Sequence, residues 1–95
     1  MMNEIWIPTN VPQGARHLDI IRDNWFNEID LAMLTMHSMK QCILGQLYGD
    51  YSRAIKQLFV GATHAQKLIL MFDVFGCTHN HKLWVHEIDE RKEWK

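Results

Sequence analysis

Ninety-five residues carry ten Lys+Arg against eleven Asp+Glu, a formal net charge of −1 with no basic block; the electrostatic footprint of a DNA- or RNA-binding protein is missing, and direct nucleic-acid contact is not expected. The length makes one small domain over residues 1–95, which buries roughly 60–65% of its unfolded surface. An apolar fraction of 47% is that of a globular chain, and the longest apolar run, Leu68 to Phe72, falls far short of the ~20 residues that span a bilayer.

Met1 to Gly14 holds both prolines, Pro8 and Pro12, and reads as an extended arm because proline stops helices and pushes its predecessor toward extended geometry. Ile5 and Ile7 on one side and Trp6 on the other would suit a short edge strand. A first helix is expected from about Ala15 to Asn27, with Leu18, Ile21, Trp25 and Ile29 as its inward stripe. Residues 30–37 form a connector, with at most one helical turn carrying Leu31 and Leu34. Ser38, with Gln41 three residues on, signs a capping box for a second helix whose inner face is Met39, Cys42, Ile43 and Leu47; Gly49 ends it.

Asp50 caps a third helix, where Tyr51, Ala54, Ile55, Leu58 and Phe59 give the clearest amphipathic pattern, closed by Gly61. Thr63 and Gln66 form a second capping box. The body that follows, Leu68 to Phe72, is apolar all round and should be the most buried element; a short buried strand over Leu68 to Phe75 is the alternative. Gly76 ends it either way. Asn80 caps a last helix to about Trp94, with Leu83, Trp84 and Ile88 inward and Glu87 and Arg91 paired four residues apart. The expected fold is therefore all-α, four to five short helices in a compact bundle behind an extended N-terminal arm.

Enzymatic signatures are missing. The chain contains no Gly-x-Ser-x-Gly, no Walker loop and no Gly-x-Gly-x-x-Gly. Ser38 and Ser52 stand at helix starts, where hydroxyls cap. Cys42 lies on an apolar face and reads as a small buried hydrophobe rather than a nucleophile. Asp19 with Asp23, and Glu87, Asp89 and Glu90, are carboxylate groups near Arg or Lys, as surface ion pairs are. No catalysis and no cofactor are expected. Cys77, His79, His81 and His86 fall within ten residues and are of zinc-ligand type, and Cys77-x-His79-x-His81 on an extended loop would point alternate side chains to one side. Their spacing is not that of a paired knuckle, so exposed loop histidines are the expected state and a metal site the alternative. Two cysteines, and a start without basic or apolar leader regions, read as a cytoplasmic protein with free thiols.

Binding surfaces are easier to nominate. Four Trp, four Phe, two Tyr and six Met are many bulky side chains for this length, and those left outside mark a partner or self-association surface. Trp6, Tyr48 and Trp94 stand on termini and turns and are candidates. Gly45, inside a helix, costs about 1 kcal/mol relative to Ala. It is justified where another backbone or a flat ligand comes close. Gln46, Tyr48 and Tyr51 would rim such an approach, either as a tight helix crossing or as a pocket for a small nucleotide-like molecule, placed at an oligomer interface because one chain has little room for it.

The segment Cys42-Ile43-Leu44-Gly45-Gln46-Leu47-Tyr48-Gly49-Asp50-Tyr51 resembles the centre of a loosely defined group of short bacteriophage and prophage proteins with a CVLGQLYGDY-like motif. Trp25, Ile29-Asp30-Leu31 and Leu34-Thr35-Met36 match the stretch that precedes the motif in that group. Trp84, Glu87, Ile88 and Arg91 match its C-terminal helix, while its Gly-Phe element is inverted here as Phe75-Gly76. The resemblance brings no catalytic or binding residues with it. It implies a setting, a small protein in the cytoplasm of a bacterial host. The expected role there is non-enzymatic: an anti-CRISPR-like inhibitor of a host antiphage-defence protein, acting through a protein–protein interface. Sequestration of a nucleotide-like signal and a Cys/His metal domain are the alternatives.

Overall fold

A computed structural model describes residues 5–93. The fold is all-α: α1 Val11–Ile21, α2 Ile43–Tyr48, α3 Tyr51–Leu58, α4 His64–Ile69 and α5 His81–Glu93, with no strand among the described residues. Two 3₁₀ turns, Trp25–Glu28 and Thr78–Asn80, and a π-helical turn, Leu70–Phe75, join them.

The expected arm to Gly14 is shorter than the prolines suggested. Helix α1 begins at Val11, with the Asn10 side chain accepting from the Gln13 N–H. Pro12 sits in the first turn, where a missing N–H costs nothing because helix starts leave those donors unpaired. Nor does the segment before α1 stand off the core. Ile7 and Pro8 are buried, and the Ile5 carbonyl accepts from Gln66 Nε2 at 2.7 Å.

Helix α1 also ends earlier than its apolar spacing suggested. Arg22 leaves helical geometry and Asn24 takes the left-handed conformation, φ 60°. That reversal leaves Ile21 outside while Trp25 and Phe26 return to the core. The second helix is shorter still: Ser38 does cap, its Oγ accepting from the Lys40 and Gln41 N–H groups, but it caps an isolated turn. Helix α2 begins four residues later on Cys42, so Met39 is exposed rather than inward.

The local chemistry of the next two starts holds as expected. Asp50 accepts from the Ser52 and Arg53 N–H groups, and Thr63 and Gln66 make a reciprocal capping box. The apolar run behind them does not stay inside. Leu68, Met71 and Phe72 are 42%, 39% and 52% exposed, while Leu70, Val74 and Phe75 are buried. Helix α4 runs into the π turn, whose last bond goes from Gly76 N–H to the Met71 carbonyl at 2.9 Å. The wider turn divides the run into an outer and an inner side. In α5 Trp84 and Ile88 face in, and Leu83 faces out.

The core centres on aromatic rings. Trp84 stacks on Phe75 at 5.5 Å and meets Trp25 edge-on at 5.7 Å, and its indole N–H donates to the Val74 carbonyl at 2.6 Å. Helix α1 packs across α5 and the π turn, its Gly14 lying against Val74 and the Trp84 ring. Arg91 fastens the same contact from outside. It holds Asp19 through two bonds of 2.9 and 2.8 Å, bonds Glu87 at 2.9 Å and lies over the Trp25 ring, while the Trp25 indole donates to Asp19.

Burial alone would raise the Asp19 carboxyl, but bonds from Arg91 and Trp25 hold it below its ordinary value. Glu28, bonded by Arg22, is lowered too. A carboxylate lowered only in the fold favours folding above the ordinary carboxylate range of ~4. That contribution fades as acid takes the pH down through the folded value. Arg91→Ala is expected to cost about 1–2 kcal/mol at pH 7. Urea midpoints should show a smaller drop from pH 7 to pH 3 in the variant than in the parent; an equal drop would count against the clamp.

Candidate binding cleft

Three segments meet beside α3. The loop Met36–Met39 passes over the start of α2, the π turn presents Met71 and Phe72, and Gly76–Thr78 closes the third side. With Cys42 and Tyr51 at the back they enclose a half-open cleft of about 320 Å³. Its walls are sulfur-rich and apolar: Met36, Met39, Met71, Phe72 and both cysteines of the chain. The polar lining is His37, Ser38 and Thr78, with the Tyr51 side chain behind them.

Each wall has a local cause. Cys42 is N-cap of α2, and its Sγ accepts the Gly45 N–H at 3.3 Å. Burial raises its thiol above the ordinary value despite that bond, which favours the protonated form at neutral pH. Tyr51 follows the Asp50 cap, and its N–H donates to the Met39 carbonyl at 2.8 Å, tying the loop to α3. Its residue is 7% exposed. Its hydroxyl is sealed from solvent and has no hydrogen-bond partner among the described residues.

The corner residues named from sequence divide. A Cβ on Gly45 would lie 2.5 Å from the Met39 carbonyl oxygen and 2.6 Å from the Lys40 carbonyl carbon. The close neighbour is thus loop backbone rather than a second helix. Gln46 is fully engaged: its Oε1 accepts from Asp30 N–H at 2.6 Å, and its Nε2 donates to the Asp30 and Gln41 carbonyls. Tyr48 is half-buried under the Arg22 guanidinium at 4.8 Å. Gly49 takes φ 90° as the C-cap that its position suggested. Of Gly45, Gln46, Tyr48 and Tyr51, only Tyr51 lines the cleft.

The Cys/His group does not assemble. Thr78–Asn80 is a 3₁₀ turn rather than an extended strand of alternating ligands. Cys77 lines the cleft, His79 is exposed, His81 opens α5, and His86 points to Glu90 at 3.4 Å. Among the described residues no three His, Cys, Asp or Glu side chains come together to hold a metal ion.

A second surface lies around Trp6, which is 62% exposed with its ring 5.3 Å from that of His17. His17 in turn stacks on Phe59 at 5.4 Å. Burial lowers the His17 pKa, so the ring is neutral at pH 7. One turn along α1 stand Ile20, 82% exposed, and Ile21; Val60, 73% exposed, follows Phe59. Trp94 lies outside the described residues.

Sequence reasoning missed Met36, Met39, Met71 and Phe72 as cleft walls, and Ile20 and Val60 as outer surface. The methionine count was the available signal for the first group. For the second there was one too, since Ile20 falls off the inward stripe of α1. No family model, curated protein or solved structure matches the chain. Among the described residues no helix is long and apolar enough to cross a membrane.

Proposed function

We propose that this chain acts by binding another protein rather than by catalysis, through the face carrying Trp6, His17, Ile20 and Val60. The observation behind this is that the three most exposed large hydrophobic side chains among the described residues are Trp6, Ile20 and Val60, at 62%, 82% and 73%: Trp6 lies against His17, Ile20 stands one turn along α1 from that histidine, and Val60 follows the Phe59 on which the same histidine stacks. Exposed apolar patches of this kind mark interfaces, and Trp is the residue most enriched at their energetic centres. In the bacteriophage setting that the resemblance implies, the partner is a host antiphage-defence protein.

A variant carrying Ile20→Asp and Val60→Asp tests this, since both side chains are mostly exposed and the fold does not need them. Immobilised parent protein should capture a discrete host protein from bacterial lysate. The variant should lose it, by about a hundredfold in affinity, while melting with the parent. Equal capture by both would reject this face. Sedimentation velocity separates a second arrangement, in which the patch pairs two copies of the chain: the parent would then dimerise and the variant would not.

A further inference from the structure

The cleft beside α3 shares no residue with the Trp6 face and has a different character. Its volume, about 320 Å³, lies at the small end of ligand pockets and suits a body of one or two rings. The walls are apolar or sulfur-bearing. Met39 and Met71 are 45% and 39% exposed, and unbranched thioether side chains readily change rotamer to fit what enters.

Tyr51, at the back, carries an atom that is out of place behind such a wall. The Tyr51 hydroxyl is buried with neither donor nor acceptor opposite it among the described residues, a destabilising state that phenylalanine in the same space would avoid. Burial, with the neighbouring Cys42 adding to it, moves its ionisation far above neutral, so it is a hydrogen-bond donor at every physiological pH. From Tyr51 and Met71 a smaller groove of about 200 Å³ continues the surface, lined by Ser52, Ile55, Lys56 and Lys67. Neither lysine is ion-paired among the described residues. The carboxylate that shares a shallow face with Lys56 is Asp50, and its Oδ1 is engaged in capping α3.

We infer that the cleft is a binding site for a small amphipathic anion, its apolar ring seated among Met36, Met39, Met71 and Phe72, and its anionic group at the Tyr51 end, accepting from the hydroxyl and facing Lys56 and Lys67. Rotamer changes of the half-exposed Met39 and Met71 make room as the ligand enters and open a path to the buried hydroxyl. The ligand thus supplies the partner that the folded chain withholds from Tyr51.

Three probes of one shape test this: 3-phenylpropionate, 3-phenylpropionamide and 3-phenylpropylamine. Each is titrated into protein labelled at the methionine methyl groups, with Met33, which lies outside the cleft, as internal control. The carboxylate should shift the Met36, Met39 and Met71 signals saturably and leave Met33 in place. The amide should bind roughly tenfold more weakly and the amine not at all. Tyr51→Phe should raise the melting temperature of the ligand-free protein while weakening the carboxylate about tenfold. A Lys56→Glu, Lys67→Glu variant should fold normally and lose the preference for carboxylate over amide. The inference is overturned by silence of the cleft methyls with all three probes, by equal binding of the three, by unchanged carboxylate affinity in Tyr51→Phe, or by a lower melting temperature of that variant. None of these outcomes bears on the Trp6 face, whose variant is separate.

Discussion

Trp84→Ala is expected to leave the chain largely unfolded at room temperature. The ring is fully buried, stacked on Phe75 and set edge-on against Trp25. Emptying a buried Trp site typically costs about 3–5 kcal/mol. The Val74 carbonyl, bonded at 2.6 Å by the indole N–H, would lose its donor at a further cost of about 1–3 kcal/mol. The two losses share one site and do not simply add. Even so, they approach the total stability of a domain this size, about 5–10 kcal/mol. Trp84→Phe keeps a ring against Phe75 and gives up the hydrogen bond and some volume, so it should fold with a loss of about 2 kcal/mol. Far-UV circular dichroism during urea titration reads both. A Trp84→Ala protein with a parental midpoint would mean that the aromatic cluster does not hold the fold.

Gly45→Ala is the second, and its sign is the test. Helix propensity favours Ala over Gly by about 1 kcal/mol, so from local sequence alone the change would stabilise α2. The structure demands the reverse. The new methyl would stand 2.5 Å from the Met39 carbonyl oxygen, 2.6 Å from the Lys40 carbonyl carbon and 2.8 Å from its Cα. All three are backbone atoms that cannot rotate away. The segment is also pinned on both sides: the Met39 carbonyl accepts from Tyr51 N–H, and the Gln41 carbonyl accepts from Thr35 N–H and Gln46 Nε2. Moving it strains the bond that starts α3. Overpacking of this kind costs about 1–3 kcal/mol, occasionally more, and the expected net loss is about 2 kcal/mol. A midpoint at or above the parent's would show that the crossing loop yields freely.

What could be read before the structure was the chemistry that acts over three or four residues. Asp50, the Thr63–Gln66 box, Gly49 and Gly76 mark starts and stops because each satisfies or releases backbone groups next to it. Features that depend on distant packing were not legible. Trp25 returns to the core only because Asn24 reverses the chain, and the apolar spacing of Leu18, Ile21 and Trp25 hid that break. Leu68, Met71 and Phe72 look as buried as Leu70 and Val74 in the sequence. Which side of the run faces out is decided by the π turn and by α1 packing across it. The cleft suffers from the same limit. Tyr51 and Cys77 both stood out individually, one for the corner and one for the histidine cluster. Only the tertiary fold sets them around one cleft, together with methionines from positions 36, 39 and 71.

The pairing of α1 with α5 has a consequence for synthesis. Val11, Ala15, Leu18 and Trp25 leave the ribosome early, yet much of what covers them, Val74, Trp84, Ile88 and the Arg91 clamp, comes last. At about 5–20 residues per second, the interval between Trp25 and Trp84 is roughly 3–12 s. During it α1 and the segments flanking it can already meet α2, α3 and α4 through Arg22–Tyr48, Asp30–Gln46, His17–Phe59 and Ile5–Gln66, but the side of α1 that packs on α5 has no lid. Until Trp84 and Ile88 have been made, the apolar side of α1 that they cover stays open to water, and transiently exposed apolar surface of this kind is where unfinished chains aggregate.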